Sequence, residues 1–364
     1  MSRKLSEYVP ELMHKNAKLD LKDFSHDQLV GWLASHAIEP YRAGQILRWI
    51  YRRQQDSFEM MTDLSKTSRD LLARDFSVER LHVVRRETST DGSQKYLFRL
   101  SDGNHIEAVL IPERDHYTLC ISSQVGCAQG CAFCLTGRGG FIRNLTGGEI
   151  LAQVRDIQIE LPDNVPLTNI VFMGMGEPLA NYRSVLHALT VITDGSAGFG
   201  FSNRRVTVST AGLVPKIAAL GRDAKVNLAV SLNATDNRSR DMLMPINRTY
   251  PIEDLLAACR AYPLPAGRRI TFEYILIAGI NDSVGDARRL ARLLRPIRSK
   301  INLIPFNEHE GCRFKRPEES VILQFQQVLI EENYTAIIRA SKGQDISAAC
   351  GQLKARAEGL ANDD

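Results

Sequence analysis

Three cysteines fall within one short stretch, VGCAQGCAFCLTGRGG at residues 125–140: Cys127, Cys131 and Cys134. Thiolates are soft ligands that hold zinc or iron–sulfur clusters. A structural zinc site closes with four ligands, and this CxxxCxxC stretch supplies only one CxxC-type pair. His105 and His116 lie upstream without ligand spacing. Three thiolates instead suit a cubane cluster with one iron left open, where a small molecule can bind and accept an electron. A second stretch, VFMGMGEPLANY at 171–182, sets Gly174 and Gly176 at a strand end. Without a Cβ, their backbone can approach a ligand closely; the plainer reading is a glycine-rich strand-to-helix turn.

These residues need a scaffold. Residues 20–80 read as helical: Ser25 is an N-cap candidate, and apolar residues repeat through Leu29, Trp32 and Leu33, then Ile46, Leu47, Trp49 and Ile50. LSKTSRDLLARDF adds a third helix. Beyond residue 88, short runs rich in β-formers (SQKYLFRL, HIEAVLI, YTLCISS) are separated by the turn signals TDGSQ and SDGN. Strand-like runs then alternate with amphipathic segments at 147–160, 183–194, 252–262, 284–295 and 318–331, the pattern of a parallel sheet or barrel with outer helices. The expected division is a helical domain over 1–86, a β-rich connecting segment over 87–116, an α/β barrel-like domain over 117–355 and a tail at 356–364, read as a frayed helix end.

Composition bounds the class. With 364 residues, 44% hydrophobic and 24% charged, the chain reads as a soluble globular protein of one large and one smaller domain. A formal charge of +4 permits an anionic partner without requiring one. No apolar run is long enough to span a bilayer, and MSRKLSEYVPELMHKN lacks the apolar core of a secretory signal. Seven unevenly spread cysteines argue against a disulfide framework and for a reducing cytoplasm. By themselves Cys120, Cys350, Cys259 and Cys312 read as small packing residues, and Glu107 as the exposed face of a strand.

CxxxCxxC after a strand resembles the signature of radical S-adenosylmethionine (SAM) enzymes, whose three cysteines hold a [4Fe–4S] cluster. The set LCISSQVGCAQGCAFCLTG, RNLTGGEI, VFMGMGEPLANY, VTVSTAGLVP, LAVSLNA, NLIPFN and DISAACGQL resembles the RlmN/Cfr family of RNA adenosine methyltransferases, in order and approximate spacing over residues 90–355. The resemblance implies a partial (β/α)6-type radical SAM barrel with a small N-terminal helical accessory domain. It assigns the cluster to Cys127, Cys131 and Cys134. Contacts to SAM fall to Gly176, Glu177, Ser209, Ser231, Leu232, Asn233 and Asn307. It implies two SAM molecules per turnover, one methylating Cys350 and the other yielding a radical that takes a hydrogen from that methyl group. The carbon then adds to adenine, Glu107 accepts the ring proton, and Cys120 attacks the Cys350 sulfur to release product and leave a disulfide.

The sequence departs from the family at SLNA, where Asn233 stands in place of the usual histidine and carries no charge near neutral pH. EHEGCRFKRP, after Asn307, also departs from the family's run. The resemblance implies 23S ribosomal RNA and transfer RNA as partners, with an external electron donor such as flavodoxin and no membrane. Methylation at carbon 2 of adenine is the expectation, with carbon 8 as the alternative and a non-catalytic iron–sulfur RNA-binding protein as the second. RNA contact candidates are Arg48, Arg52 and Arg53, the loop with Arg138 and Arg143, and Arg313, Lys315 and Arg316.

Overall fold

The computed structural model describes residues 18–162, 164–309 and 311–354. The N-terminal stretch read as non-signal and the tail read as frayed helix therefore lie outside the described residues. The chain divides into two compact units between Arg80 and Leu81, slightly before the expected break at residue 86.

The first unit holds α1 (His26–Ser35), α2 (Arg42–Tyr51) and α3 (Lys66–Asp75). Its ends meet where β1 (Leu19–Asp20) pairs in parallel with β2 (Phe76–Ser77). A capping box starts α1: the Ser25 hydroxyl accepts from the Gln28 amide at 3.2 Å, and the Gln28 side chain accepts from the Ser25 amide at 2.8 Å. Leu29, Trp32, Leu33, Ile46, Leu47 and Ile50 are buried as the periodicity requires. Each such side chain contributes on the order of 1.5–3 kcal/mol when fully buried. Trp49 departs from the expected stripe. It is only half-buried, its indole N–H donates to Asp63, and the Arg53 guanidinium lies 3.9 Å from its ring centroid.

The second unit is built on one ten-stranded sheet. Its antiparallel part is β3 (His82–Thr88), β4 (Gln94–Arg99) and β5 (His105–Pro112), joined through β5 to β6 (Tyr117–Cys120). A short hairpin of β7 (Gln124–Gly126) and β8 (Phe141–Asn144) follows, separated by the four-residue α4 (Leu135–Arg138). Then strand and helix alternate: α5 (Gly147–Ile159), β9 (Leu167–Phe172), α6 (Tyr182–Thr193), β10 (Val206–Thr210), α7 (Val214–Asp223) and β11 (Asn227–Ser231). The run ends with α8 (Asn237–Leu243), α9 (Ile252–Ala261), β12 (Ile270–Leu276), α10 (Val284–Leu294), β13 (Ser299–Pro305), α11 (Glu319–Glu331) and β14 (Ala336–Ile338).

Strands β6 and β9 through β14 are parallel neighbours in sequence order, each step crossing over by helix, so the expected partial (β/α)6 arrangement is present with a short further strand at the edge. The segment expected to be a connector is instead an antiparallel extension of the same sheet. β3 was not legible because HVVRRET is an edge strand with no residue buried. α8, NRSRDML, lacks an apolar stripe and escaped for a similar reason.

The sheet is open, with β14 and β3 at its edges. After β14 the chain runs as a strap toward the opposite edge. Asp345 accepts from the Ser89 hydroxyl at 2.5 Å and the Thr90 amide at 3.0 Å, while Asp91 accepts from the Gly343 amide at 2.9 Å. Partial burial opposes ionisation of Asp91, but the amides of Gly343 and Ser93 outweigh it and hold the carboxyl down to about 2. A carboxyl held below its ordinary 3.8 adds stability that is present above that pH and is lost as pH falls toward about 2. Asp91→Asn should cost about 1 kcal/mol or less at this exposed position. It should also open the strap near Lys342 to trypsin at neutral pH; cleavage kinetics equal to wild type would refute the clasp.

Candidate active site

The cysteine loop hangs between β7 and β8. Gly126 has φ +73°, and a Cβ there would strike the Gly140 carbonyl, so only glycine closes this hairpin. The Cys127 amide donates to Gly140 at 2.7 Å, the Ala132 amide to Leu243 at 2.9 Å, and the Cys134 amide to Cys131 at 3.1 Å. Cys131 is buried in an apolar cluster with Phe133, Leu243, Met244, Ile277 and Phe306. Burial pushes the Cys127 thiol up to about 12, with Cys134 and Glu177 adding to it. Burial also raises Cys131, followed by the charges of Cys134, Cys127 and Glu177.

The three sulfurs therefore share one electrostatic space. Among the described residues, no group of three His, Cys, Asp or Glu side chains is placed to hold a single metal ion. Three soft thiol donors on one loop fit a cubane cluster, in which each thiolate takes a different iron.

The GEP turn packs against this loop. Glu177 is buried, and burial raises its carboxyl even though it accepts from the amides of Ala211 at 2.7 Å and Leu179 at 3.0 Å. Its own amide donates to Gln124 at 2.8 Å. The glycine requirement has a different cause from the one expected. A Cβ on Gly174 would meet Ile121 and Ser122, and one on Gly176, at φ +97°, would meet Gln124. These glycines let two protein segments meet closely.

Ser209 ends β10 beside Ala229 of β11, and Ser231 ends β11, so both half-buried serines stand at the carboxyl ends of parallel strands. Leu232 is fully buried and its amide donates to Glu273. Asn233 sits in the left-handed region at φ 58°, where asparagine is favoured. Its carboxamide accepts from the Ile275 amide at 2.8 Å and donates to the Met244 sulfur at 3.2 Å. That side chain is committed to the protein, which explains why an uncharged amide stands at this position. Asn307 donates to the Cys350 carbonyl at 3.2 Å and accepts from Gln344 at 3.0 Å, so it grips the strap.

The strap brings Cys350 to the cysteine loop: the Leu135 amide donates to Gly351 at 2.8 Å and the Thr136 hydroxyl to Leu353 at 2.6 Å. Cys350 is solvent-accessible, yet the protein around it, then the Glu273 carboxylate, raises its thiol to about 11. Cys120, at the end of β6, is raised first by burial and then by the charge of Cys350, and its strand partner is Val109, two residues from Glu107 on β5. Glu107 is 4% exposed, contrary to the exposed-face reading, because β5 lies inside the sheet and is covered on both faces. Its carboxylate accepts from the Lys354 amide at 2.8 Å. Cys259 is buried on α9, and Cys312 packs beside the cluster loop.

Sequence reasoning missed two groups. Arg240 is a fully buried guanidinium that donates to Leu232 at 3.0 Å, Asn247 at 3.1 Å and Ala211 at 2.7 Å, and burial lowers it to about 10. Glu273, buried on β12, is raised by burial to about 7. Neither belongs to a legible motif; Arg240 stands on α8 and Glu273 on β12, and both are buried. Among the proposed RNA contacts, Arg143 is taken by Asp102 and by both Glu149 oxygens at 2.8 Å. Lys315 pairs with Glu308 and Arg316 with Glu319. Exposed Arg48 and the stacked Arg53 remain on the helical unit.

This assembly, a three-thiol loop at the carboxyl ends of a partial parallel barrel, defines a class. Residues 121–291 match the Radical SAM superfamily, and residues 19–78 match the ribosomal RNA large subunit methyltransferase N-terminal domain. A dual-specificity RNA methyltransferase RlmN of Desulfosudis oleivorans is 59% identical over 92% of this chain and 91% of its own length. The protein of that name from Geobacter sulfurreducens is 54% identical over 94% of each chain. The crystal structure of a radical SAM methyltransferase from Sphaerobacter thermophilus superposes with a TM-score of 0.88 at 46% identity, covering 93% of this chain and 100% of that one. The chain belongs to the RlmN family of radical SAM methyltransferases.

Above about pH 7 the Glu273 carboxylate is charged and opposes a thiolate on Cys350. Glu273→Gln should therefore move the pH profile of Cys350 alkylation by iodoacetamide to lower pH, read by mass spectrometry of the Cys350 peptide. An unmoved profile would show that Glu273 does not set this thiol.

Proposed function

We propose that this protein methylates carbon 2 of an adenosine in 23S ribosomal RNA and in transfer RNA, in the cytoplasm, with electrons from a flavodoxin-type donor. The observation that carries the reading is that the strap bearing Cys350 is bonded both to the cysteine loop and to Glu107, whose strand pairs with that of Cys120. Cys127, Cys131 and Cys134 would hold a [4Fe–4S] cluster, with Gly176, Glu177, Ser209, Ser231, Leu232, Asn233 and Asn307 around SAM. When bound, the cluster and two SAM molecules per turnover would supply a methyl group and a carbon-centred radical.

The chain's own residues then do the following. Cys350, as thiolate, accepts the methyl group and presents its carbon to the adenine. Once that carbon is joined to carbon 2 and one electron has left the adduct for the redox partner, Glu107 takes the ring proton. The Cys120 thiolate attacks the Cys350 sulfur, the electron pair of the sulfur–carbon bond goes to the carbon, which takes up a proton to become the methyl group, and a Cys120–Cys350 disulfide remains. The strap that carries Cys350 is bonded to Glu107 through the Lys354 amide, and Cys120 pairs with Val109 on the strand of Glu107, which supports this exchange.

RNA has a surface to meet. A cavity of about 230 Å³ lies beside the site, lined in part by His105, Val125, Leu135, Ile142 and Met175. Phe141 and Ile142 on its rim are 45% and 61% exposed, an apolar platform for an unstacked base. Nucleoside mass spectrometry of RNA from cells with and without the protein should show 2-methyladenosine only when it is present. Cys350→Ala and Cys120→Ala should drop that signal below detection. Finding 8-methyladenosine instead would overturn the position, and no methylated adenosine at all would overturn the activity.

A further inference from the structure

Lys95 is not part of any motif, yet it is 6% exposed and its ammonium is shared among three elements. On one side it meets Glu87 of β3 at 3.0 Å, the residue directly opposite it in the β3–β4 ladder. On the other it meets Glu107 of β5 at 3.6 Å, a diagonal neighbour in the β4–β5 ladder. Its third partner is the Ile346 carbonyl at 2.6 Å, on the strap. The ammonium thus donates a hydrogen bond to the strap and forms ion pairs with both carboxylates. Glu107 in turn accepts from the Lys354 amide. Ile346 and Lys354 flank Cys350 on either side. The contacts thus close a ring: Lys95, Ile346, the Cys350 turn, Lys354, Glu107 and back to Lys95.

We propose that Lys95 is a positioning residue that locks the Glu107 carboxylate and the Cys350 turn into one frame, so that the proton acceptor meets the adenine ring only when the ring is bonded to Cys350. The proposal rests on the reading of Glu107 and Cys350 given above. It makes a distinction that a general structural role does not. Methylation of Cys350 precedes any need for Glu107 and survives loss of the lysine. Removal of the ring proton requires the frame, and misplacing a proton acceptor by about 1 Å costs on the order of a hundredfold.

The test is Lys95→Met in the full-length, cluster-loaded protein. Two quantities are read: Cys350 methylation by intact mass, and the covalent protein–RNA adduct on denaturing gels during single turnover. Methylation is expected to equal wild type, while decay of the adduct slows by about tenfold to a hundredfold. Adduct decay at the wild-type rate overturns the proposal. Loss of Cys350 methylation in a variant with wild-type melting also overturns it, because Lys95 would then serve the first step. If Lys95→Met does not fold, Lys95→Arg carries the test; it keeps the charge without seating one ammonium among three acceptors, and slower decay is expected again. Glu107→Gln is run in parallel. Should that variant resolve its adduct normally while wild type turns over, the assignment of Glu107 fails separately from that of Lys95.

Discussion

A strap closing over an open sheet edge is the contact on which the rest depends. Cys120 lies at the end of β6 and Cys350 near the end of the described chain, and chemistry between them requires a long loop to be closed. Closing it costs conformational entropy, but that cost grows only slowly with loop length. Many modest bonds offset it: Asp91 and Asp345 at the β3–β4 turn, Lys95 to Ile346, Asn307 to Cys350, and the Leu135 and Thr136 bonds to the strap. No single one is strong, since a typical net hydrogen bond is worth about 1 kcal/mol. Their distribution along the strap is what keeps one thiol in place while leaving it solvent-accessible.

The barrel explains why such a strap can be useful. Parallel strands all direct their carboxyl ends to one rim, so Ser209, Ser231, the GEP turn and the cysteine loop converge without special arrangement. The antiparallel strands β3 to β5 extend the same sheet and bring a carboxylate and an ammonium, Glu107 and Lys95, to the other side of the same rim. Buried charge is tolerated at this rim because its carriers are bound by backbone groups, Arg240 through carbonyls and Glu177 through amides.

Local chemistry was legible in the residues where one short segment settles the matter. Ser25 is the expected N-cap, the amphipathic segments become α5, α6, α9, α10 and α11, and the strand-like runs become the central sheet. Legibility failed where burial is decided by a neighbour. Glu107 alternates with apolar residues as an exposed position would, but the sheet continues on both sides of it. Trp49 fits the stripe of α2 yet faces Arg53 and Asp63. Gly174 and Gly176 speak of close approach in any reading, and only packing reveals that Ile121, Ser122 and Gln124 are what they approach. Arg143 reads as a free base until Asp102 and Glu149 are seen around it.

The sequence alone determined the ligand set and the class of scaffold, because thiol spacing and hydrophobic periodicity are written in consecutive residues and need no partner. Tertiary structure decided that the strap with Cys350 comes to the cysteine loop, that Glu107 is buried and bonded to that strap, and where Lys95, Arg240 and Glu273 lie. Those assignments depend on distances between segments far apart along the chain, and such distances exist only after the sheet has formed and the strap has crossed it.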